Sequence, residues 1–600
     1  MTPRRALPAL ALAVALVAGC SSEAASPPTT VERGKPYPTA DGKPRVDLDP
    51  ERYVTGYPEQ RAGSAGGPMT NASPTASGGG VAYDQAEGPV APRPPTIYED
   101  NTFVGAGHHP FVTPKAEPTS TFGLDVDTGS FSVGRTFLSE GTLPPPDSVR
   151  TEEWVNALGS QQEAPSDAIG VAVDTAPSAL DDTRLVRVGV AGRDLSVEDR
   201  PPANLTFVVD TSGSMDIRER LGLVKASLGL LVLNLRDDDT IAIVQYSDEA
   251  GVVLEPTPVK DAKRIVDAID ELQPSNSTNL EAGLRAGYRQ AQEAFRKDGL
   301  NAVILASDGV ANVGLTDPDG LAGVISDRAE QGIHLVTVGY GMGNYNDDLM
   351  EQVADQGDGF YAYLDTYAQA EKLFRDRLTS TLSVVAQDAK AQVRFDPAMV
   401  SSYRLLGYEN RALAEEDFDD ASVDAGEIGA GHRVTALYEV RLAKGADDLA
   451  PDSVLGGAKV RYVDGASGKT VTAERPVVLG GATKADQAPD DLRFQAATAA
   501  FAEWLASQPA GGPSGDPEGP VIVEDDVDGP TTTTVPSDDA TPVEPGSQAD
   551  LEAIIAEAES AAKGLPAAGL PGSVVTPEAM LDLMRAATKA TPSPTATYAD

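Results

Sequence analysis

The chain has 600 residues and a formal charge of −44, from 47 Lys and Arg against 91 Asp and Glu. So acidic a chain argues against binding nucleic acid or anionic lipid through a basic surface, and its length is room for several domains. One cysteine excludes a disulfide framework or thiolate metal cluster, and the four histidines have no metal-ligand spacing such as His-x-x-x-His.

Arg4 and Arg5 precede an apolar stretch, Ala6 to Ala18, too short to span a bilayer. It ends in Val17-Ala18-Gly19-Cys20-Ser21-Ser22, which resembles the lipobox of bacterial lipoproteins. The resemblance implies that residues 1–19 are a signal peptide and that Cys20 is lipidated, anchoring the chain on the extracytoplasmic face of a bacterial cell membrane. The alternative is an ordinary secretory signal with a chance cysteine. Residues 20–117 are rich in Pro, Gly, Ser, Ala and Thr; such composition buries too little apolar area to offset the entropy of ordering and reads as a disordered tether.

Residues 118–200 begin the ordered part. Phe122, Leu124 and Val126 alternate as in a strand, Ser130–Leu138 and Val149–Leu158 read as helices, and Ile169–Val173 and Leu185–Val190 read as strands. Asp125-x-Asp127-x-Gly129-Ser130 is not read as a metal site, because Gly replaces the second hydroxyl and acids at a strand-to-helix turn commonly cap the helix.

From 201 to 382 strands and helices alternate. The strands are Leu205–Asp210, Thr240–Tyr246, Leu300–Ala306, Ile333–Gly339 and Gly359–Tyr363, with Val252–Leu254 as an antiparallel edge. The helices are Arg218–Leu235, Lys260–Leu272, Leu280–Lys297, Gly320–Gln331, Asp347–Gln356 and Tyr367–Leu378. This order predicts an α/β, Rossmann-like domain, a mostly parallel sheet with helices on both faces. Residues 383–507 switch to short alternating strands, Ala391–Phe395, Ser402–Leu406, Arg433–Arg441, Ala458–Val463 and Lys469–Ala473, followed by a helix at Leu492–Leu505. These fit an antiparallel β-sandwich, which the strands before Pro201 would complete, with the α/β domain inserted between. Residues 508–548 form an acidic linker read as disordered, and 549–600 carry two helices, Ala549–Lys563 and Pro577–Lys589, the second capped by Thr576.

The chemistry concentrates at Asn204 to Met215. The apolar strand Leu205–Val209 runs into Asp210-Thr211-Ser212-Gly213-Ser214, so a carboxylate and two hydroxyls cluster where the strand ends. In open α/β sheets ligands bind at the carboxyl ends of strands. Two further loops offer Thr278, before a helix, and Asp308-Gly309, at a strand end. Oxygen donors alone suit a hard divalent ion. Each residue has a plainer reading as well: helix capping for Asp210, Ser212 and Thr278, with Ser277 and Asn279 competing at the last, and an Asx turn for Asp308.

Asp210-x-Ser212-x-Ser214, Thr278 and Asp308-Gly309 resemble the metal-ion-dependent adhesion site (MIDAS) of von Willebrand factor type A (VWA) domains. The resemblance implies that Ser212, Ser214 and Thr278 contact the ion, directly or through water, while Asp210 and Asp308 act from behind them. It implies Mg²⁺, with Mn²⁺ or Ca²⁺ as alternatives, and an open metal position that accepts an Asp or Glu carboxylate of a partner protein. Ser120-Thr-Phe-Gly-Leu-Asp-Val-Asp-Thr-Gly-Ser and Leu143-Pro-Pro-Pro-Asp-Ser-Val-Arg-Thr-Glu-Glu look like the VWA-associated segment of bacterial surface lipoproteins that also carry a C-terminal domain of unknown function. The expected function is a membrane-anchored, metal-dependent protein-binding module with no catalytic residues. The alternatives are an envelope scaffold whose ion only stabilises loops, or a metal-dependent hydrolase. The sequence has neither a nucleophile elbow nor His-Glu-x-x-His.

Overall fold

The computed structural model describes residues 45–57, 103–509 and 546–592, except 104, 106, 125, 197, 276–277, 309–317, 342–346, 379–382, 422, 424 and 446–448. The signal peptide, Cys20, Asp125, Ser277, Gly309 and the acidic stretch 510–545 lie outside the described residues. Among the described residues no helix is long and apolar enough to cross a membrane.

After a four-residue helix, α1 (Arg52–Thr55), the leading segment carries β1 (Thr119–Gly123), α2 (Gly129–Ser139), α3 (Thr151–Asn156), β2 (Ile169–Pro177) and β3 (Arg184–Gly192). The central unit follows with β4 (Ala203–Asp210), α4 (Leu223–Asn234), β5 (Thr240–Tyr246), β6 (Ala250–Pro258), α5 (Ala262–Glu271) and α6 (Leu280–Glu293). It continues through β7 (Leu300–Ser307), α7 (Pro318–Ala329), β8 (His334–Tyr340), α8 (Asp347–Asp355), β9 (Tyr361–Leu364) and α9 (Tyr367–Glu371). Its sheet has the order β6-β5-β4-β7-β8-β9, parallel except for edge strand β6. On β4, Leu205, Phe207 and Val209 pack with α4 and α5, while Val208 packs with α6 on the other face. Burial on both faces explains the unbroken apolar run.

Beyond the central unit come β10 (Val384–Phe395), β11 (Val400–Leu406), β12 (Ala412–Leu413), β13 (Ile428–Gly429), β14 (Arg433–Leu442), β15 (Val454–Asp464) and β16 (Thr470–Val478). They form two antiparallel sheets, β12-β1-β10-β15-β16, with β13 alongside β10, and β11-β14-β3-β2. β1 pairs with β10 and β3 with β14, so strands from both sides of the central unit share each sheet. The α/β unit is an insertion in a sandwich. The core between the sheets holds Phe122, Phe395, Tyr403 and Tyr438, with ring centroids 4.7 to 6.4 Å apart.

Three closing helices, α10 (Asp490–Ala506), α11 (Gln548–Ala562) and α12 (Pro577–Ala587), pack with α2 and α3. Trp154 stands edge-on between Phe131 and Phe501, at 5.3 and 5.6 Å. Gly134 permits this packing, since a Cβ there would lie 2.3 Å from the indole. The packing of the last helices after the acidic stretch has a simple basis. The chain leaves α10 and returns at one place, where Gln508 Nε2 donates to the Gly546 carbonyl (3.2 Å) and the Gly546 amide to Ser507 Oγ (3.0 Å).

Two expectations need correction. The stretch 20–117 is not tether throughout, because residues 45–57 lie along α4 and residues from His109 onward dock on the sandwich. Arg45 Nη1 donates to the carbonyls of Val232 and Leu235 at the end of α4 (2.9 and 3.0 Å), and Tyr57 Oη donates to Asp216 beyond its other end (3.0 Å). Gly222 and Gly229 leave room for this strap, as Cβ atoms there would lie 3.0 Å from Tyr53 and Tyr57 and 3.1 Å from Pro50. Val46, Leu48, Tyr53 and Tyr57 are spaced too widely for a short-window periodicity to register. Farther on, the guanidinium groups of Arg404 and Arg441 each lie over the Phe111 ring, 5.3 and 3.7 Å from its centroid. The second correction is at Arg218–Leu235, which opens as a π-helical turn, Arg218–Gly222, before α4. Arg45→Ala should cost about 1–2 kcal/mol by freeing two α4 carbonyls that a cation caps, read as a lower urea midpoint.

Candidate metal centre

β4 and β7 are neighbours, and both end at the same edge of the sheet. Asp210 is the last residue of β4, and Asp308 follows β7 directly. Both carboxylates are buried, at 0% and 1% exposure, a costly arrangement unless each is hydrogen-bonded and its charge offset. Asp210 is fully engaged. Its Oδ1 accepts the Ser212 amide (2.8 Å), and its Oδ2 accepts Ser307 Oγ (3.1 Å) and Tyr246 Oη (3.3 Å). Burial, and then the charge of Asp308, push its carboxyl up to about 6. Burial and a like charge both disfavour the ionised form.

Ser212 leads a 3-10 turn, Gly213–Met215, yet its side chain caps nothing; its Oγ lies 3.0 Å from Ser214 Oγ. The two hydroxyls thus form a pair in front of the carboxylates. Ser214 is half-buried. The loop bearing Thr278 is tied to this one, because the Ser275 amide donates to the Thr211 carbonyl. Thr278 itself is half-buried. The cap of α6 is Asn279, whose Oδ1 accepts the Ala282 amide (3.1 Å), so Thr278 is not the capping residue. Asp210, Ser212, Ser214 and Asp308 converge, and the Thr278 loop abuts them through Ser275.

Sequence reasoning missed three participants. Tyr246 ends β5 opposite Asp210 in register. Ser307 precedes Asp308 directly, a signal that was available. Arg220, in the π-turn, donates from Nη1 to Asp308 Oδ2 (2.6 Å) and to the Ser214 carbonyl (2.8 Å); nothing in its sequence position announces this.

Elsewhere, Asp127 Oδ1 accepts the Gly129 amide (2.8 Å) at the start of α2, the local turn-capping role expected of it. Among the described residues no three His, Cys, Asp or Glu side chains group as a metal site. The candidate centre is instead two hydroxyls backed by two carboxylates. All donors are oxygen, and hydroxyls without direct carboxylate ligation suit a small hard cation that keeps some water. The donor set fits such an ion.

Comparison with known proteins agrees with this architecture. The von Willebrand factor type A domain model matches residues 204–376, a "von Willebrand factor" model matches 97–187, and the model for the C-terminal part of the uncharacterized protein YfbK matches 380–514. The uncharacterized protein YfbK of Escherichia coli K12 is 40% identical over 412 residues, covering 65% of this chain and 71% of that protein. The chain belongs to the YfbK-like family of bacterial VWA proteins. The uncharacterized Synechocystis protein sll0103 is 26% identical over 338 residues, covering 54% of this chain and 77% of its own length. A solved von Willebrand factor type A protein from Catenulispora acidiphila aligns over 58% of this chain and 82% of its own, at 15% identity and a TM-score of 0.36. In this YfbK-like chain the VWA match covers the central α/β unit, and the YfbK-type C-terminal match covers the later strands of the sandwich.

Proposed function

We propose that this YfbK-like protein is a divalent-metal-dependent protein-binding module of adhesion or scaffolding type, and not an enzyme. The observation that carries the reading is the paired Ser212 and Ser214 hydroxyls held in front of two buried carboxylates at the sheet edge. Ser212, Ser214 and Thr278 would hold Mg²⁺, with Mn²⁺ or Ca²⁺ as alternatives. Asp210 and Asp308 would act behind them, accepting hydrogen bonds from hydroxyls and water. The ion, when bound, supplies an electrophilic open position for a partner's Asp or Glu carboxylate. The Asp210 hydrogen bonds to Ser212, Ser307 and Tyr246 fix the first loop against two neighbouring strands before any ion arrives; such preorganisation lowers the cost of binding. Lipidation of Cys20 would hold the module on the extracytoplasmic face of the cell membrane, and the acidic surface gives no purchase for nucleic acid.

The test is capture of partners from the native envelope by the full chain with Mg²⁺, with EDTA, and with Asp210→Ala. Retention that survives EDTA sinks the metal role, and Mg²⁺-raised melting without Mg²⁺-dependent capture favours the scaffold reading. A pH dependence follows from Asp210. Its folded-state value, about 6, lies above the ordinary carboxylate range, so in the metal-free protein this group favours folding less as pH rises from about 4 through about 6. Mg²⁺ must compete with that proton. The Mg²⁺-induced rise in melting temperature should therefore be full near pH 7.5 and shrink markedly near pH 5, on the order of tenfold in affinity per pH unit.

A further inference from the structure

Arg220 is a cation bonded directly into the candidate centre, and its placement is built. Its side chain is 8% exposed, and its guanidinium joins the Asp308 carboxylate (2.6 Å) to the carbonyl of Ser214 (2.8 Å). The loop after β7 and the loop after β4 are thereby bridged by one positive charge. Two local features hold it there. The π-turn at Arg218–Gly222 widens the helix by one residue per turn and re-aims the side chains it carries; such turns recur at functional sites. Gly341, directly after β8 and with φ +73°, leaves space for the arginine stem, since a Cβ there would sit 2.8 Å from Arg220 Cγ. Among the described neighbours, Arg218 pairs with Glu219 at the surface, and exposed Asp216 accepts from Tyr57.

We infer that Arg220 is a specificity-determining residue: its fixed charge weakens divalent-ion binding but leaves the loaded centre with a net positive charge, so that the centre selects a monoanionic carboxylate. This rests on the metal-binding reading above. With both carboxylates ionised, Asp210, Asp308 and Arg220 together carry one net negative charge. A divalent ion then leaves a surplus of one positive charge, which one carboxylate ligand neutralises. Without Arg220 the two carboxylates would balance the ion by themselves, and an anionic ligand would be held by the ion's local field alone, without the added pull of a surplus positive charge. Opposite charges attract strongly where water is excluded, and complementary charge sets which partner is chosen. The arginine therefore trades metal affinity for ligand affinity, whereas a merely structural bridge would support both.

The experiment uses the full chain and two variants, Arg220→Met and Arg220→Lys. Free Mn²⁺ is followed by electron paramagnetic resonance, and acetate by the Mn²⁺-induced relaxation of its methyl protons, with acetamide as the neutral control. Arg220→Met should bind Mn²⁺ about tenfold tighter or better, while its acetate relaxation falls by about tenfold toward that of acetamide. Arg220→Lys keeps the charge without the two-pronged bridge and should stay close to wild type in both readings. Circular dichroism melting without metal checks that each variant is folded. Weaker Mn²⁺ binding by Arg220→Met, or unchanged acetate relaxation, overturns this inference alone. Failure of the wild type to bind Mn²⁺ overturns the metal reading and this one with it.

Discussion

Asp210→Asn should abolish the Mg²⁺ response while leaving the metal-free protein as stable as wild type or slightly more so. The reasoning is a balance of two costs. In the metal-free fold the Asp210 carboxylate is buried beside Asp308, and its raised value means that ionising it works against folding at neutral pH. Asparagine removes that charge and keeps a carbonyl oxygen to accept the Ser212 amide. Asp210→Ala also removes the charge but strands the Ser212 amide and the Ser307 and Tyr246 hydroxyls, at a cost of about 1–3 kcal/mol for buried donors left unpaired. Both variants lose the charge that a bound ion needs behind its hydroxyl ligands. At a Mg²⁺ concentration about a hundred times its dissociation constant, wild type gains about 2.7 kcal/mol from the ion, and neither variant should gain any. Melting curves with Mg²⁺ and with EDTA decide this. An Asp210→Asn protein that still melts higher with Mg²⁺ would show that the carboxylate has no part in holding an ion.

The second large effect is expected far from the site, where the chain crosses from the sandwich into the VWA domain. Arg200 and Asp239 form an ion pair whose side chains are both fully buried. Asp239 also accepts the amide of Ala203 (2.8 Å), the first residue of β4, and of Arg236 (2.6 Å). One carboxylate therefore fastens the entry to the central strand, the end of α4 and the junction arginine together. Asp239→Ala leaves a buried guanidinium without its counter-charge and two amides without an acceptor, and should cost about 3–5 kcal/mol. Arg200→Met combined with Asp239→Asn removes both charges and restores one acceptor, so it should cost much less than the sum of the single changes. Urea unfolding of wild type, Arg200→Met, Asp239→Asn and the double variant gives the coupling energy. Additive costs would mean that the two groups are solvated independently.

Both predictions show where sequence reasoning reached and where it stopped. The parallel strands of the VWA domain are legible because burial on both faces imposes apolar runs, as in Leu205–Val209. The insertion is legible because Ile169–Val173 and Leu185–Val190 alternate with period two and need partners that only the later strands offer. Asp210, Ser212, Ser214 and Asp308 stand out because loops at strand ends have no packing reason to place oxygen side chains at fixed offsets. The strap at 45–57 is silent in the sequence because its contacts are with a helix nearly two hundred residues away, and no local pattern encodes such a distance. The π-turn at Arg218–Gly222 is likewise silent, since one extra residue in a helix shifts the apolar face by less than the width of that face.

What this amino-acid sequence determined by itself was the set of elements, the order in which they alternate and the three loops that bear oxygen donors. These follow from periodicity and from residues chosen for local chemistry, both readable over a few turns of chain. What only the tertiary structure decided was which polar groups meet: Arg220 on Asp308, Arg200 on Asp239, the Tyr57 hydroxyl on Asp216. Electrostatic pairing depends on distances of a few ångströms between residues far apart in the chain. Many acids and many arginines could satisfy a sequence; the packed fold selects one for each.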